Sequence, residues 1–312
     1  MPIKLSICIP TYNRAALLDE ALQSIASQSR PGLEIVVCDN ASSDNTRDVI
    51  DRFRPHFEHL VYFRWPENMG PDRNVLKTVE IASGEYCWLL GDDDQLEVGA
   101  LDKVVPVLDD GYDLVYVNAM TFDSEMKLSS GQTVNRFDCS TADETLVSLS
   151  SWITFLSSVC IRRDAFMQHY ETVLGKIGTG FAHCYAVVGV MQHGKNQILP
   201  EPLVRFRAGN TGGYNIYTVF LQEFGRIMDY CAAVGFSQQV VLQVRTRNVY
   251  QVVVPALLQI KLGKLGLKSN ALAMNLFHSG LGVREKLILG FLSLCPAWVY
   301  RAAQGLRHLM RR

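Results

Sequence analysis

The order of apolar segments predicts an α/β fold: a mostly parallel, Rossmann-like sheet with helices on both faces, followed by a helical C-terminal extension. Three observations carry this expectation. Short apolar runs alternate with helix-period segments as far as Val117. Those runs are apolar without polar alternation, as strands covered on both faces are. From Tyr217 onward the periodicity is helical almost to the end.

Each element has its own signal. Leu5–Ile9 reads as the first strand, and Asn13 as the cap of a helix whose Leu18, Leu22 and Ile25 share one face. Glu34–Cys38 is a second strand, and Asp44 caps a helix turning Val49, Ile50 and Phe53 inward. Leu60–Phe63 is a third strand. Pro71 suits the first turn of a helix bearing Val75, Val79 and Ala82. Tyr86–Leu90 and Leu114–Val117 are strands on either side of a helix from Gly99 to Leu108. After Asn118 the rhythm breaks into polar loops with a short antiparallel element. A helix at Phe181–His193 and a proline-interrupted strand at Ile198–Phe206 follow. The helical part breaks near Gly235, at Gly263–Gly266 and near Gly282. These breaks place one domain at 1–212 and a helical region with a basic amphipathic tail at 213–312.

The 312 residues are 48% apolar and 20% charged, which excludes bulk disorder and provides for a sizeable core. The formal net charge of −1 gives no electrostatic footprint for nucleic acid, but it conceals an asymmetry. Residues 1–244 hold 19 Lys and Arg against 30 Asp and Glu, whereas residues 245–312 hold 11 against Glu285 alone. A basic tail on a neutral chain suits an anionic surface. Trp298, Ala302, Leu306 and Leu309 recur at near-helical spacing, with Arg301, Arg307, Arg311 and Arg312 mostly elsewhere around the wheel. Such a helix either lies in a membrane interface or packs on its own domain with a solvated basic face.

The eight cysteines are scattered, form no CxxC pair and lie partly inside apolar runs, so they read as buried free thiols in a reducing compartment. The N-terminal apolar run lacks a signal peptide's length and cleavage site. The run from Leu287 to Tyr300 contains Pro296 and is too short to span a bilayer. A cytoplasmic protein is expected, peripheral on the inner face of the plasma membrane if the tail is an anchor.

In an open parallel sheet, ligands bind beyond the carboxyl ends of the strands. Those ends read Pro10-Thr-Tyr-Asn-Arg14, Asp39-Asn-Ala-Ser-Ser-Asp44 and Gly91-Asp-Asp-Asp94. Three adjacent carboxylates at the rim of a buried strand repel one another unless a cation neutralises them. A hard oxygen site of this kind suits Mn²⁺ or Mg²⁺; the competing reading is a solvated acidic turn. Arg205 and Arg207, two apart in a strand, face the same side. They suit either the oxygens of a diphosphate or the acidic cluster itself.

Several of these segments, in order, resemble the family 2 glycosyltransferases with the GT-A nucleotide-diphospho-sugar transferase fold. They are Ser6-Ile-Cys-Ile-Pro-Thr-Tyr-Asn-Arg14, Glu34 through Thr46, Asn68-Met-Gly70 with Arg73-Asn74, and Ala82-Ser-Gly-Glu-Tyr86 running into Gly91-Asp-Asp-Asp94. The GDDD form, with Gly178-Thr-Gly-Phe-Ala-His183 and Arg205 through Gly213, is most similar to the abequosyltransferase branch. The resemblance implies a sugar transferred from a nucleotide-diphosphate donor, with CDP favoured and a 3,6-dideoxyhexose such as abequose as cargo. The acceptor it implies is a lipid-linked saccharide of a surface polysaccharide such as O-antigen.

It further implies that Pro10, Thr11, Tyr12 and Arg14 line the nucleotide pocket, that Asp39 accepts a hydrogen bond from the base, and that Arg73 assists. Asp92 would contact the ribose or donor sugar, while Asp93 and Asp94 hold the metal. Gly91 stands where the family commonly has its first acid. Inverting members usually carry a Glu-Asp pair where this chain reads Gly180-Phe-Ala-His-Cys-Tyr185, so His183 is the proton acceptor available there. A structural histidine is the alternative. Two other functions compete. A sugar nucleotidyltransferase would show a Gly-rich loop after the first strand, where Pro-Thr-Tyr-Asn-Arg stands instead. A catalytically silent nucleotide-sugar-binding partner subunit would not need the Asp triplet.

Overall fold

The computed structural model describes residues 2–209, 218–262 and 281–296. The chain divides into two compact units, Met1–Thr211 and Gly212–Arg312. In the first unit the described residues form a nine-stranded sheet: β1 (Leu5–Thr11), β2 (Leu33–Asp39), β3 (His59–Arg64), β4 (Tyr86–Leu89), β5 (Gln95–Leu96), β6 (Leu114–Phe122), β7 (Leu128–Gln132), β8 (Val159–Arg162) and β9 (Asn196–Arg207). Its order is β3-β2-β1-β4-β8-β6-β9-β5, with β7 on β6.

Of the strands expected from sequence, β1–β4 and β6 run parallel to one another, and the proline-interrupted one is β9. β1 pairs parallel with β2 and β4, and β2 with β3. The four-residue β8 wedges antiparallel between β4 and β6, and β9 pairs parallel with β6. β1 and β2 are buried over almost every residue, and Ile7, Ile9, Ile35, Val37, Trp88 and Val117 form the centre of the core. Burying each such side chain contributes about 1.5–3 kcal/mol.

Helices α1 (Ala15–Ala26), α2 (Thr46–Phe53), α3 (Pro71–Ile81) and α4 (Ala100–Leu108) follow the early strands. The helix α1 buries Leu18, Ala21, Leu22 and Ile25, as its periodicity requires. Its cap differs from expectation. Asn13 sits at φ 52°, and its amide oxygen accepts the Ser43 N–H at 2.7 Å. The first free N–H of α1, that of Ala15, instead donates to Asp44 across the neighbouring loop at 2.8 Å. Asp44 also accepts the N–H of Thr46, the first residue of α2, so one carboxylate serves two helix starts. The break after Asn118 has a cause. That residue is fully buried, donates to the carbonyls of Val134 and Pro200, and sits where the β6–β9 register shifts.

Four shorter or later helices complete this unit: α5 (Ala142–Leu149), α6 (Arg163–Met167), α7 (Tyr170–Leu174) and α8 (Ala182–His193). In the second unit, helices span Phe224–Ala233, Gln238–Asn248, Val254–Lys261 and Val283–Leu294. Leu221, Val249, Val253, Leu257, Ile260 and Leu289 form its core. The expected break at Gly263–Gly266 and the amphipathic tail from Trp298 to Arg312 lie outside the described residues. All eight cysteines are free, and six are buried.

Candidate active site

The carboxyl ends of β1, β2, β3 and β4 lie side by side, which brings Thr11, Asp39, Arg64 and the 91–94 turn onto one rim. The turn closes with the Asp94 N–H on the Gly91 carbonyl at 3.2 Å. Each of its carboxylates is directed differently. Asp92 points toward β1, where the Thr11 hydroxyl donates to it at 2.7 Å and the Arg14 guanidinium at 3.0 Å. Burial, opposed by Arg14, lifts its pKa to about 6. Asp94 is also buried and accepts the Ser157 hydroxyl and the Arg207 backbone N–H. Burial and the neighbouring Asp93 charge push Asp94 up to about 8. Asp93 is the most open of the three, with Arg14 at 3.5 Å.

Gly91 explains part of this arrangement. A Cβ built on it would stand 3.0 Å from Asp93 Oδ1, 3.2 Å from Ser157 Oγ and 3.4 Å from Asp94 Oδ2. An acidic side chain here would crowd both carboxylates, so the glycine lets Asp93 and Asp94 approach one point. Among the described residues no three His, Cys, Asp or Glu side chains converge on a metal position. Two hard carboxylates nevertheless fit Mg²⁺ or Mn²⁺, ions that commonly take one or two carboxylates and complete their shell with substrate phosphates and water. Burial first, and then the Asp93 charge, raise Asp94, and such an ion would offset the charge.

Arg207 is buried and spent. Its Nε donates to the Asp93 carbonyl at 3.1 Å, one Nη to the Ser124 carbonyl at 2.6 Å and the other to the Glu20 carboxylate at 2.5 Å. Of the two roles open to it from sequence, the geometry is that of a brace for the acidic turn. Arg205 lies on the same side, stacked 4.5 Å over Phe122 and 3.7 Å from Glu97.

Asp39 is only 1% exposed. Its Oδ1 accepts the Ser42 N–H at 2.8 Å, and its Oδ2 accepts the Tyr62 hydroxyl at 2.7 Å and faces the Arg64 Nε at 3.3 Å. Burial and the Asp39 charge together hold the Tyr62 phenol above its usual range. The sequence reading overlooked Tyr62 and Arg64. Their only signal was the parallel register that sets Arg64 opposite Asp39. Pro10 pairs with Cys38 in the same ladder, and Tyr12, just past β1, is 43% exposed at the rim.

Two further expected residues lie on α3 and α8. Arg73 is exposed on α3, and its charge falls beside Tyr170. The same helix instead turns Asn74 inward, where it donates to the carbonyls of Thr11 (3.2 Å) and Cys38 (2.9 Å) and accepts from Trp65. His183 is 6% exposed in the first turn of α8, with the Cys184 sulfur at 3.4 Å. Burial pulls its pKa down to about 4 against the opposing pull of Asp72, so it is neutral but a weak base. The segment 180–185 holds no carboxylate of its own, and one from α3 packs against it. Asp72 accepts the N–H groups of Gly178 (2.7 Å), Gly180 (2.9 Å) and Ala182 (3.1 Å) at the start of α8.

A family model for glycosyl transferase family 2 matches residues 6–168, just over half of the chain. The chain belongs to this family. An abequosyltransferase of Salmonella typhimurium is 32% identical over 206 residues, 60% of either chain. A GalNAc(5)-diNAcBac-PP-undecaprenol beta-1,3-glucosyltransferase of Campylobacter jejuni is 37% identical over 118 residues, 38% of either chain. The present chain therefore spans less than two thirds of these curated relatives. Among solved structures, residues 1–349 of TarS from S. aureus, in complex with UDP-GlcNAc, match with a TM-score of 0.66 at 15% identity, covering 98% of this chain and 92% of that one. The mannosyltransferase PcManGT from Pyrobaculum calidifontis, in complex with GDP-Man and Mn²⁺, gives 0.58 at 18%, covering 97% and 87%. These likenesses establish the fold, and the α/β GT-A architecture expected from the motifs is the one observed. Among the described residues no helix of this family 2 chain is long and apolar enough to cross a membrane.

Proposed function

We propose that the protein is a metal-dependent glycosyltransferase that moves a sugar from a nucleoside diphosphate to a lipid-linked saccharide of a surface polysaccharide. The observation that carries this reading is the braced turn at the end of β4, which holds Asp93 and Asp94 around Gly91. These two carboxylates would hold Mn²⁺ or Mg²⁺, which when bound offsets the charge that builds on the departing diphosphate. Thr11 and Arg14 fix Asp92 at the lip of β1, where it would meet a sugar hydroxyl. Tyr12 would offer an aromatic face to the nucleoside, and Arg205 a charge on β9 beside Glu97. We assign no proton transfer to His183, because its burial and low basicity oppose that role. The relative whose name includes a PP-undecaprenol oligosaccharide supports a lipid-linked acceptor, and with it peripheral contact with an anionic membrane.

Arg64 supports a cytidine donor. The diphosphate would lie over β4, and β3 is three strand spacings away, roughly 14 Å, about the reach of an extended nucleoside. Arg64 spends its Nε on Asp39 and one Nη on the Ser42 carbonyl, and its side chain is 48% exposed. Its outer guanidinium edge then offers two parallel N–H donors. Cytosine presents two adjacent acceptors, O2 and N3, to such an edge. Uracil and thymine place an N–H between theirs. A CDP-activated 3,6-dideoxyhexose such as abequose is the donor we favour.

A thermal-shift screen with CDP, UDP, GDP and dTDP plus Mn²⁺ tests both levels, because a ligand of the folded state raises Tm. CDP is expected to give the largest shift, and Arg64→Met to erase that preference. A larger shift with UDP would overturn the cytidine reading alone. Slow metal-dependent hydrolysis of the nucleotide sugar, abolished by Asp93→Ala, is expected of a transferase. A protein that binds nucleotide but hydrolyses no donor is the silent binding subunit instead.

A further inference from the structure

One helix of the second unit is apolar on two opposite faces. Along Val283–Leu294, the inward Leu289 is fully buried with Leu221, Val249, Val253, Leu257 and Ile260, and Leu281 and Leu292 pack against the same cluster. Val283, Leu287, Phe291 and Leu294 recur at i, i+4, i+8 and i+11 on another stripe, and they are 75%, 68%, 68% and 84% exposed. Scattered exposed apolar residues need no explanation, but four large ones aligned on a single helix face mark an interaction surface. The helix's charged residues, Arg284, Glu285 and Lys286, are confined to its first turn.

The charge balance of this part of the sequence selects the occupant. Residues 245–312 carry 11 Lys and Arg against Glu285 alone. Two copies meeting through this face would bring like charge together. An anionic lipid surface attracts the basic residues and accepts the apolar stripe, and both contributions have the same sign. We propose that the stripe Val283–Leu287–Phe291–Leu294 is a membrane-docking ridge that lies flat in the headgroup–acyl boundary of an anionic bilayer. It deepens the peripheral-membrane reading given above by naming the surface that docks, and it does not depend on which sugar or base the first unit takes. Arg284 and Lys286, in the first turn of the same helix, help to steer the approach, and the ridge provides the dwell time.

Flotation of the full chain with phosphatidylcholine vesicles, with and without phosphatidylglycerol, tests the ridge. The protein is expected to float with the anionic vesicles and to be weakened by high salt. Leu287→Gln/Phe291→Gln, which adds no negative charge, should lower partitioning more than tenfold while leaving Tm and the nucleotide-induced thermal shift unchanged. That retained shift separates failure of the ridge from failure of the transferase reading. Equal flotation of wild type and variant overturns the proposal, as does wild type that floats with neither vesicle. A concentration-dependent dimer in sedimentation, made monomeric by the double variant without lipid, would assign the ridge to a second copy.

Discussion

Arg207→Met removes a guanidinium while keeping an unbranched apolar stem in its place. In the native structure that group holds two carbonyls, Asp93 and Ser124, and one carboxylate, Glu20. Hydrogen bonds involving a charged partner contribute about 1.5–3 kcal/mol each. The Glu20 pair is discounted because that side chain is 47% exposed. The two carbonyl contacts alone then cost about 3–6 kcal/mol when lost. In a unit of this size each kcal/mol lowers Tm by about 2–4 °C, so a fall of about 6–24 °C is expected. Differential scanning calorimetry without nucleotide reads it directly. The backbone N–H of residue 207 still reaches Asp94, so the loss reports the side chain alone. A variant that melts with the wild type and loses only nucleotide affinity would refute the brace and return Arg207 to the diphosphate.

Three further outcomes can be measured. His183 is held at about 4 in the folded chain, below the usual histidine value near 6.5, so the unfolded state takes up the proton first as pH falls. Stability from this residue should decline below pH 6.5 by about 2 kcal/mol at pH 5, approaching about 3 near pH 4; denaturant melts of wild type against His183→Gln isolate it, because Asp92 and Asp94, held up at about 6 and 8, act in the opposite direction. Asp72→Ala strips the acceptor from three N–H groups at the start of α8 and should cost about 2–4 kcal/mol, with faster hydrogen exchange at Gly178, Gly180 and Ala182. Slow donor hydrolysis should fall to background when Mn²⁺ and Mg²⁺ are removed with a chelator and return on adding either ion, as read by nucleotide release.

Legibility followed the range of the interaction. β1 and β2 could be read because a strand covered on both faces must be apolar at nearly every position, and theirs are. β8 could not. Its four residues, Val-Cys-Ile-Arg, follow two short 3₁₀ turns and contain no period long enough to register. Asn13 looked like a cap by residue type, yet the acceptor for α1 is Asp44, contributed by the following loop. Arg73 and Asn74 are adjacent in the motif, but only the helix phase of α3 decides that Asn74 meets the rim.

The chain's own order of residues determined the α/β class, the parallel core strands and the three carboxylates at the end of β4. Those features depend on periodicity and on neighbours a few positions away, which any stretch of sequence displays. Tertiary structure alone decided how the charges were used. It committed Arg207 to Glu20, set Arg64 beside Asp39, buried His183, and carried Asp72 to the start of α8. Each of these depends on a separation of tens to nearly two hundred residues closed by the sheet. A side chain's charge can be read from its name, but its partner exists only once the strands have paired.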